Sequence, residues 1–256
     1  MRQKSWRDKI PYMEEKDTLY RSHIRKAGDF VFDERVVRVF PDMINRSVPG
    51  YGLIVPMIGL MARQYARDFS NLYDLGCSLG AVSLAMRAAV RSEGVRIRAV
   101  DNSPDMIRQL QALLEEAEGS GLPEIEPVYQ DILETPIENA SVVVLNFTLQ
   151  FVDPPDRTGL LQKIARGLVP GGVLLLSEKI RFPDSEEQSL QTRWHEAFKR
   201  TQGYSELEIA RKRDALENVM KPDTFQQHRD RLAEAGFHRV YRWFQGLNFV
   251  SMIAMH

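Results

Sequence analysis

The sequence predicts an α/β fold with a mostly parallel central sheet, a C-terminal antiparallel hairpin and helical additions. First, short apolar runs alternate with helical segments between residues 71 and 176, as in βαβ units with right-handed connections. Second, residues 142–145 and 173–176 are uninterrupted valine and leucine, which is expected of strands covered by helices on both faces. Third, a glycine-rich loop follows the first of these runs, where a parallel sheet binds its ligand.

The alternating pattern assigns the elements of the sheet region in order. The predicted strands are residues 71–75, 96–100, 128–130, 142–145 and 173–176, and the helices between them are residues 81–90, 105–118 and 157–167. Upstream, apolar residues at steps of three and four predict helices over 33–44 and 53–68, separated by a turn at 47–51.

The tail of the chain departs from this alternation. Residues 188–236 are predicted to be helical and to contain no strand, and residues 239–244 and 247–254 to pair as a hairpin around Gln245 and Gly246. We therefore expect a single α/β domain over residues 31–256 with a helical insertion at about 188–236. Residues 1–30 are expected to form a loosely ordered or helical extension.

Composition limits the classes of function. The 256 residues hold 34 basic and 35 acidic side chains, so the net charge of −1 offers no electrostatic basis for direct nucleic-acid binding. A single cysteine, Cys77, cannot build a disulfide framework. Residues 1–16 hold no apolar signal-peptide core, and no apolar run approaches the length of a membrane span. We expect a soluble, cytoplasmic protein without a membrane partner.

The glycine-rich loop is Asp74-Leu75-Gly76-Cys77-Ser78-Leu79-Gly80. Glycine permits a tight turn and lets a ligand approach bare backbone, and the next helix presents N–H groups that favour an anion. The loop is neither a Walker motif nor a dinucleotide fingerprint. Taken alone, it is equally consistent with a simple strand-to-helix turn.

Polar residues at the ends of the following strands favour a nucleotide-like ligand. Asp101 lies 25 residues after Gly76, a spacing suited to ribose hydroxyls. Asp131 and Ile132 follow the third strand and suit an adenine ring, and Asn146 ends the fourth strand. The structural alternatives are that Asp101 caps the next helix and that Asp131 and Asn146 are turn residues.

With Asp101 behind the second strand, the loop resembles that of class I S-adenosylmethionine (SAM)-dependent methyltransferases, over residues 55–180. Five further segments resemble the carboxy-S-adenosyl-L-methionine (carboxy-SAM) synthase family, and together they span about residues 17–254. They are residues 32–36 (Phe-Asp-Glu-Arg-Val), 39–44 (Val-Phe-Pro-Asp-Met-Ile), 46–51 (Arg-Ser-Val-Pro-Gly-Tyr), 145–151 (Leu-Asn-Phe-Thr-Leu-Gln-Phe) and 203–209 (Gly-Tyr-Ser-Glu-Leu-Glu-Ile).

The resemblance implies a Rossmann-like SAM-methyltransferase fold and an unusual reaction. Members of that family convert SAM and prephenate into carboxy-SAM and phenylpyruvate, and a separate tRNA-modifying enzyme uses carboxy-SAM at the wobble uridine. The resemblance also implies a homodimer. The ligand-binding positions it implies are Tyr51, Gly76, Cys77, Ser78, Asp101, Asn102, Asp131, Ile132, Asn146 and Arg213.

Arg213 is the residue expected to recognise the product's added carboxylate. Ser205 and Glu208 have the spacing of a capping box, which predicts a helix start, and Arg213 then shares one face with Ile209 and Leu216. A guanidinium on a buried face needs an anion. The guanidinium could pair with a protein carboxylate such as Glu217, or extend to solvent. The third alternative is a ligand carboxylate bound bidentately. Plain SAM has no carboxylate at its methyl carbon, so this third arrangement would favour carboxy-SAM.

No general base or metal site is evident from the residues. His195 lies in a polar helix and is expected at the surface, and Cys77 is expected to present its backbone N–H to the cofactor. No Cys/His cluster has metal-ligand spacing, so no metal is expected. Two alternatives stay open: a small-molecule methyltransferase, and a SAM-binding partner without catalysis. Phe-Thr-Leu after Asn146 argues against the amino-group methylases of DNA and protein, which carry Pro-Pro-aromatic there.

Overall fold

The structure, a computed structural model, describes residues 16–19, 34–116, 121–217 and 219–256. Its strands are β1 (Asn71–Leu75), β2 (Arg96–Asp101), β3 (Glu124–Tyr129), β4 (Ala140–Asn146), β5 (Leu168–Lys179), β6 (Arg239–Gly246) and β7 (Phe249–Met255). They form one seven-stranded sheet in the order β3-β2-β1-β4-β5-β7-β6. The first five are parallel, whereas β7 is antiparallel to both β5 and β6. The predicted fold class is confirmed.

Eight helices accompany the sheet in the described part of the chain. They are α1 (Glu34–Ser47), α2 (Tyr51–Tyr65), α3 (Ala81–Ala89), α4 (Pro104–Glu115), α5 (Pro154–Gly167), α6 (Ser185–Thr201), α7 (Glu206–Glu217) and α8 (Phe225–Glu234). Within this part of the chain, no helix has both the length and the apolar character needed to cross a membrane. The last three lie between β5 and β6, as the helical tail predicted.

The apolar run in β4 results from the cover that helices provide on both faces of the sheet. Val142 and Val144 pack into the cluster that includes α2 and α3, whereas Val143 and Leu145 pack into the cluster that includes α5. All four are fully buried. Alternate side chains of a strand point to opposite faces, so an uninterrupted apolar run is required when helices cover both.

Two strands, β3 and β5, begin four or more residues before their predicted starts. β3 begins at Glu124 rather than at residue 128, because this edge strand alternates charged and apolar residues and buries only Ile125. β5 begins at Leu168, and Pro170 and Gly171 lie within it beside a register irregularity against β4. Proline and glycine are tolerated at such an irregularity, so β5 begins five residues before its predicted start.

The C-terminal hairpin turns two residues later than predicted. Gly246 pairs with Phe249, so the turn consists of Leu247 and Asn248 rather than Gln245 and Gly246. Leu247 adopts a φ of 53°, which the two-residue connection requires. The pairing of β7 with β5 brings Phe249 next to the end of β5 at Lys179.

The N-terminal extension is described only at residues 16–19, and the rest of that prediction lies outside the described residues. Here the chain is packed and not helical. Asp17 is almost fully buried and accepts a hydrogen bond from the Tyr204 hydroxyl at 2.6 Å, while its own N–H donates to Asp42 at 2.7 Å. Residues 16–19 therefore belong to the folded structure.

Candidate active site

A cavity of about 420 Å³ opens at the carboxyl ends of the five parallel strands β1 to β5. Nine of the ten predicted ligand-binding residues line it: Tyr51, Gly76, Cys77, Ser78, Asp101, Asn102, Asp131, Ile132 and Asn146. Arg213 does not. The parallel topology explains the convergence, because the loops after neighbouring parallel strands meet at one edge of the sheet.

Gly76 is required by both backbone and space. Its φ is +78°, in the left-handed region, and a Cβ there would lie 2.4 Å from two side-chain atoms of Thr148. Gly80, also with positive φ, is the N-cap of α3 and faces Leu110 in the same way. The loop therefore fits closely against the segment that follows β4.

The backbone of the loop is fastened to β2 and to Asp101. The N–H groups of Gly76 and Cys77 donate to the carbonyl of Val100 at 2.8 and 3.0 Å, and Ser78 N–H donates to Asp101 Oδ2 at 2.9 Å. The expectation that Cys77 presents its N–H to the cofactor is thus wrong, because the neighbouring parallel strand accepts that hydrogen. Burial, followed by the carboxylates of Asp74 and Asp101, raises the pKa of the Cys77 thiol, so it stays protonated.

Asp101 links the loop to the start of α4. Its Oδ1 accepts the Ser103 N–H at 2.9 Å, and the Ser103 hydroxyl in turn caps α4 by accepting the Met106 N–H at 3.3 Å. Ser103, not Asp101, is therefore the helix cap. Burial raises the pKa of Asp101, while the N–H groups of Ser103 and Ser78 oppose that shift.

The cavity residues at the carboxyl ends of β3 and β4 differ in their polar contacts. Asp131 is exposed, and its Oδ1 accepts the Leu133 N–H at 2.8 Å, so it is a turn residue as well as a cavity residue. Ile132 beside it is buried. Asn146 Oδ1 is buried without a hydrogen-bond partner among the described residues, which leaves it available to a ligand.

Asp74 is a cavity residue that the site prediction did not include, although it begins the quoted loop. Its Oδ2 accepts both the N–H and the hydroxyl of Ser83, at 2.9 and 2.6 Å, whereas Oδ1 has no partner within the described chain. Burial raises the pKa of Asp74 to about 6, the two Ser83 bonds lower it, and Asp101 raises it. A cationic ligand group near Oδ1 would therefore be bound well.

Arg213 occupies a different face of α7 from the one predicted. Its side chain is 58% exposed and pairs with Glu196 at 3.0 Å. The buried face carries Lys212, whose ammonium meets Ser47 Oγ at 2.8 Å and Asp17 at 3.4 Å. The prediction was wrong about this helix because a charged side chain points inward where distant segments supply polar partners.

The cavity is also lined by three lysines and a histidine that the site prediction did not include. They are Lys179 at the end of β5, His195 and Lys199 on α6, and Lys212 on α7. His195 was expected at the surface, yet it is only 6% exposed. Its Nε2 lies 2.8 Å from the Ser47 carbonyl, and its ring packs edge-on against Phe249. Its spacing of four residues from Lys199 is the one sequence signal that places both on a single helix face.

A family model described as a methyltransferase domain matches residues 72–172. The chain is also 55% identical over 248 residues to a carboxy-S-adenosyl-L-methionine synthase of Pseudomonas paraeruginosa, covering 96% of this chain and 98% of that protein. It is 53% identical over 243 residues to the protein of that name from Vibrio cholerae, covering 95% and 98%. The chain belongs to the carboxy-S-adenosyl-L-methionine synthase family. The predicted resemblance is confirmed.

Solved structures support the fold of this carboxy-SAM synthase family member. Human N-acetylserotonin methyltransferase in complex with SAM is 15% identical, with a TM-score of 0.57 and coverage of 87% of this chain and 55% of that one. A putative SAM-dependent methyltransferase of Methanococcus maripaludis is 21% identical, with a TM-score of 0.57 and coverage of 90% and 96%. At such identities the likeness concerns the fold alone.

The cavity fits the SAM that a carboxy-SAM synthase requires. Asn146 Oδ1 and Asp74 Oδ1 are buried acceptors without a hydrogen-bond partner in the described part of the chain, and they suit the ammonium and hydroxyl donors of such a molecule. Gly76, Cys77 and Ser78 also line the cavity, so a ligand bound there lies against the glycine loop. Among the described residues, no group of three or more His, Cys, Asp or Glu is arranged to hold a metal ion.

Proposed function

We propose that this chain converts SAM and prephenate into carboxy-SAM and phenylpyruvate. One observation carries the proposal: the chain is 53–55% identical, over nearly its full length, to proteins named carboxy-S-adenosyl-L-methionine synthase. The methyltransferases of known structure share only its fold. A methyltransferase acting on a small molecule therefore remains the second candidate, and a SAM-binding partner without catalysis the third.

The proposed reaction balances without a metal or an external oxidant. Prephenate, a dianion, loses its ring carboxylate as CO₂ and its ring hydroxyl as hydroxide, and it becomes the aromatic monoanion phenylpyruvate. Hydroxide removes one proton from the SAM methyl group and becomes water. The resulting methylene carbon, beside the sulfonium, forms a carbon–carbon bond with the CO₂, which leaves a carboxymethyl sulfonium.

In this scheme the protein positions the two substrates and excludes water. The buried lining of the cavity suits that task, since Tyr51, Cys77 and Phe147 are all under a tenth exposed. The leaving hydroxide provides the base, so no side chain has to act as one. The raised pKa of the Cys77 thiol also argues against a covalent intermediate at that residue.

The decisive experiment incubates the purified protein with SAM and prephenate and follows both by mass spectrometry. The expected result is SAM heavier by one CO₂, formed in equal amount with phenylpyruvate. A control omits prephenate. If prephenate stays intact and no carboxylated SAM forms, the proposal is wrong, and transfer of a methyl group to a panel of small molecules would then favour the second candidate.

We further propose that Arg213 recognises the added carboxylate in the cavity of a neighbouring copy within a homodimer. Its supports are the exposure of Arg213 and the large exposed side chains of Leu53 and Leu60, which share one face of α2. Mixed dimers provide the test. Neither R213A nor a G76V homodimer, in which the added side chain clashes with Thr148 and distorts the glycine loop, should be active. Their mixture should regain activity only if Arg213 acts across the interface.

The proposed product has a defined use. We propose that carboxy-SAM passes to a separate tRNA-modifying enzyme, while this chain, with its net charge of −1, does not itself bind RNA. We place the activity in the cytoplasm, whose reducing conditions suit a chain with one cysteine. A gel-shift assay with tRNA at physiological salt should detect no complex.

A further inference from the structure

The cationic end of the cavity consists of Lys179, Lys199, Lys212 and the adjacent His195. The three lysines come from β5, α6 and α7, so only the tertiary fold assembles them. Lys199 and Lys212 are 9% and 4% exposed. Burial, followed by Lys212 and Lys179, lowers the pKa of Lys199 to about 7, so the three groups act on one another and a bound anion would restore the full charge of Lys199.

Among the residues that the structure describes, partners balance only one of these three charges. Lys212 contacts the Asp17 carboxylate at 3.4 Å, together with the hydroxyls of Ser47 and Tyr204. Lys199 and Lys179 have no hydrogen bond or ion pair from their ammonium groups to any described residue. Buried cations without a partner are costly, so a cluster of this kind favours an anion supplied from outside.

The neighbouring groups do not supply that anion. Glu196 raises the pKa of Lys199, but its carboxylate is paired with Arg213. Burial, followed by Lys199 and Lys179, lowers the pKa of His195 to about 3, so its imidazole adds no charge. Asp74 and Asp101 surround the glycine loop and are not among the groups that shift Lys199.

We propose that Lys199 and Lys179 form a subsite for the carboxylates of an organic dianion, with Lys212 held beside them by Asp17. This inference rests on the proposed function and identifies the residues that bind the second substrate. Two unbalanced cations match a dianion better than the single carboxylate of SAM. The match is lost while the ring carboxylate is CO₂ and is restored in the products, because one carboxylate remains on phenylpyruvate and the other becomes part of carboxy-SAM.

The test measures binding of prephenate by calorimetry in the presence of S-adenosylhomocysteine, which has no methyl group to react. K199M and K179M each keep the length of the side chain and remove its charge. R193M is the matched control, since Arg193 is an exposed cation on the same helix. Loss of one charge-assisted hydrogen bond should weaken prephenate binding about 10- to 100-fold in K199M and K179M. R193M should bind as wild type does, and K199R should recover most of the affinity.

Separate measurements distinguish this subsite from other roles. SAM affinity should change less than about twofold in K199M, and KM for prephenate should rise while kcat stays close to wild type. Equal losses of SAM and prephenate affinity would overturn the subsite, as would a fall in kcat with unchanged prephenate affinity, which indicates proton transfer by Lys199. Circular dichroism confirms that each variant is folded.

The two proposals can fail independently. If wild type makes no carboxy-SAM, the proposed function fails, and malonate then tests the subsite as a generic dicarboxylate. Weaker malonate binding by K199M than by R193M would still support the subsite, whereas equal binding would refute it. If wild type makes carboxy-SAM but K199M and K179M behave like R193M, only the subsite is wrong.

Discussion

Replacement of His195 by glutamine should make the protein less sensitive to acid. The imidazole is buried beside three lysines, and burial, followed by Lys199 and Lys179, lowers its pKa to about 3. Its hydrogen bond with the Ser47 carbonyl opposes the shift. Glutamine retains an N–H donor for that carbonyl but cannot be protonated.

The sign follows from the lowered pKa in the folded state. Well above pH 6.5, as at pH 8, the imidazole is neutral in both folded and unfolded chains, and its contribution to stability is fully present. As the pH falls, the unfolded chain binds a proton that the folded chain excludes until about pH 3. With an unfolded pKa of about 6.5, the free energy of unfolding at pH 5 decreases by about 2 kcal/mol through this one group.

Urea unfolding at pH 8 and pH 5 measures the effect. Between these values the unfolding free energy of wild type should fall by about 2 kcal/mol more than that of H195Q. Other titrating groups cancel in this difference, including Glu178, whose pKa burial raises to about 8, and His228, whose pKa burial lowers to about 4. H238Q, which replaces an exposed histidine, serves as the control.

Equal pH dependence in wild type and H195Q would refute this reasoning. It would mean that the folded protein accepts the proton at His195 as readily as the unfolded chain does. The placement of His195 in a buried site beside three lysines would then be refuted as well. The placement would be supported if the unfolding free energy of H195Q changes less between pH 8 and pH 5 than that of wild type, while H238Q behaves like wild type.

Three further predictions concern stability. G76A should lower the unfolding free energy by about 1–2 kcal/mol, because residue 76 has a left-handed backbone. The contact of the new Cβ with Thr148 should lower it further. Thermal unfolding of the double variant G76A/T148G should recover only this second, steric loss. At pH 9, where the carboxyl group of Glu178 with its pKa of about 8 is ionised, E178Q should cost about 1–3 kcal/mol in urea, because both carboxylate oxygens accept backbone N–H groups and one would face an amide NH₂ instead; an unchanged midpoint would contradict this. R157M should cost about 3–5 kcal/mol, since Asp223 loses its 2.6 Å buried partner; a loss below 1 kcal/mol would show that Arg231 suffices for Asp223.

Much of the fold and most of the candidate site follow from local sequence pattern. β4 could be predicted because four fully buried apolar residues in a row need cover on both faces. The glycine loop, Asp101 and Asn146 could be predicted to converge because parallel strands end at the same edge. β3 was predicted too short, because an edge strand with one buried residue carries little apolar signal.

The assignment of charged residues to the interior depended on the tertiary structure. Sequence periodicity placed Arg213 on the buried face of α7, whereas Lys212 lies there, held by Asp17 and Ser47, which are 195 and 165 residues distant in sequence. His195 is buried for a similar reason, since Phe249 and the Ser47 carbonyl surround its ring.

The sequence by itself determined the succession of strands and helices in the βαβ region, the cofactor loop and the family of this protein. Those features depend on residues close together in the chain and on their spacing. Only the tertiary structure decided which cations face the cavity. A lysine is stable in an interior only where partners from other segments replace water, and local sequence does not contain those partners.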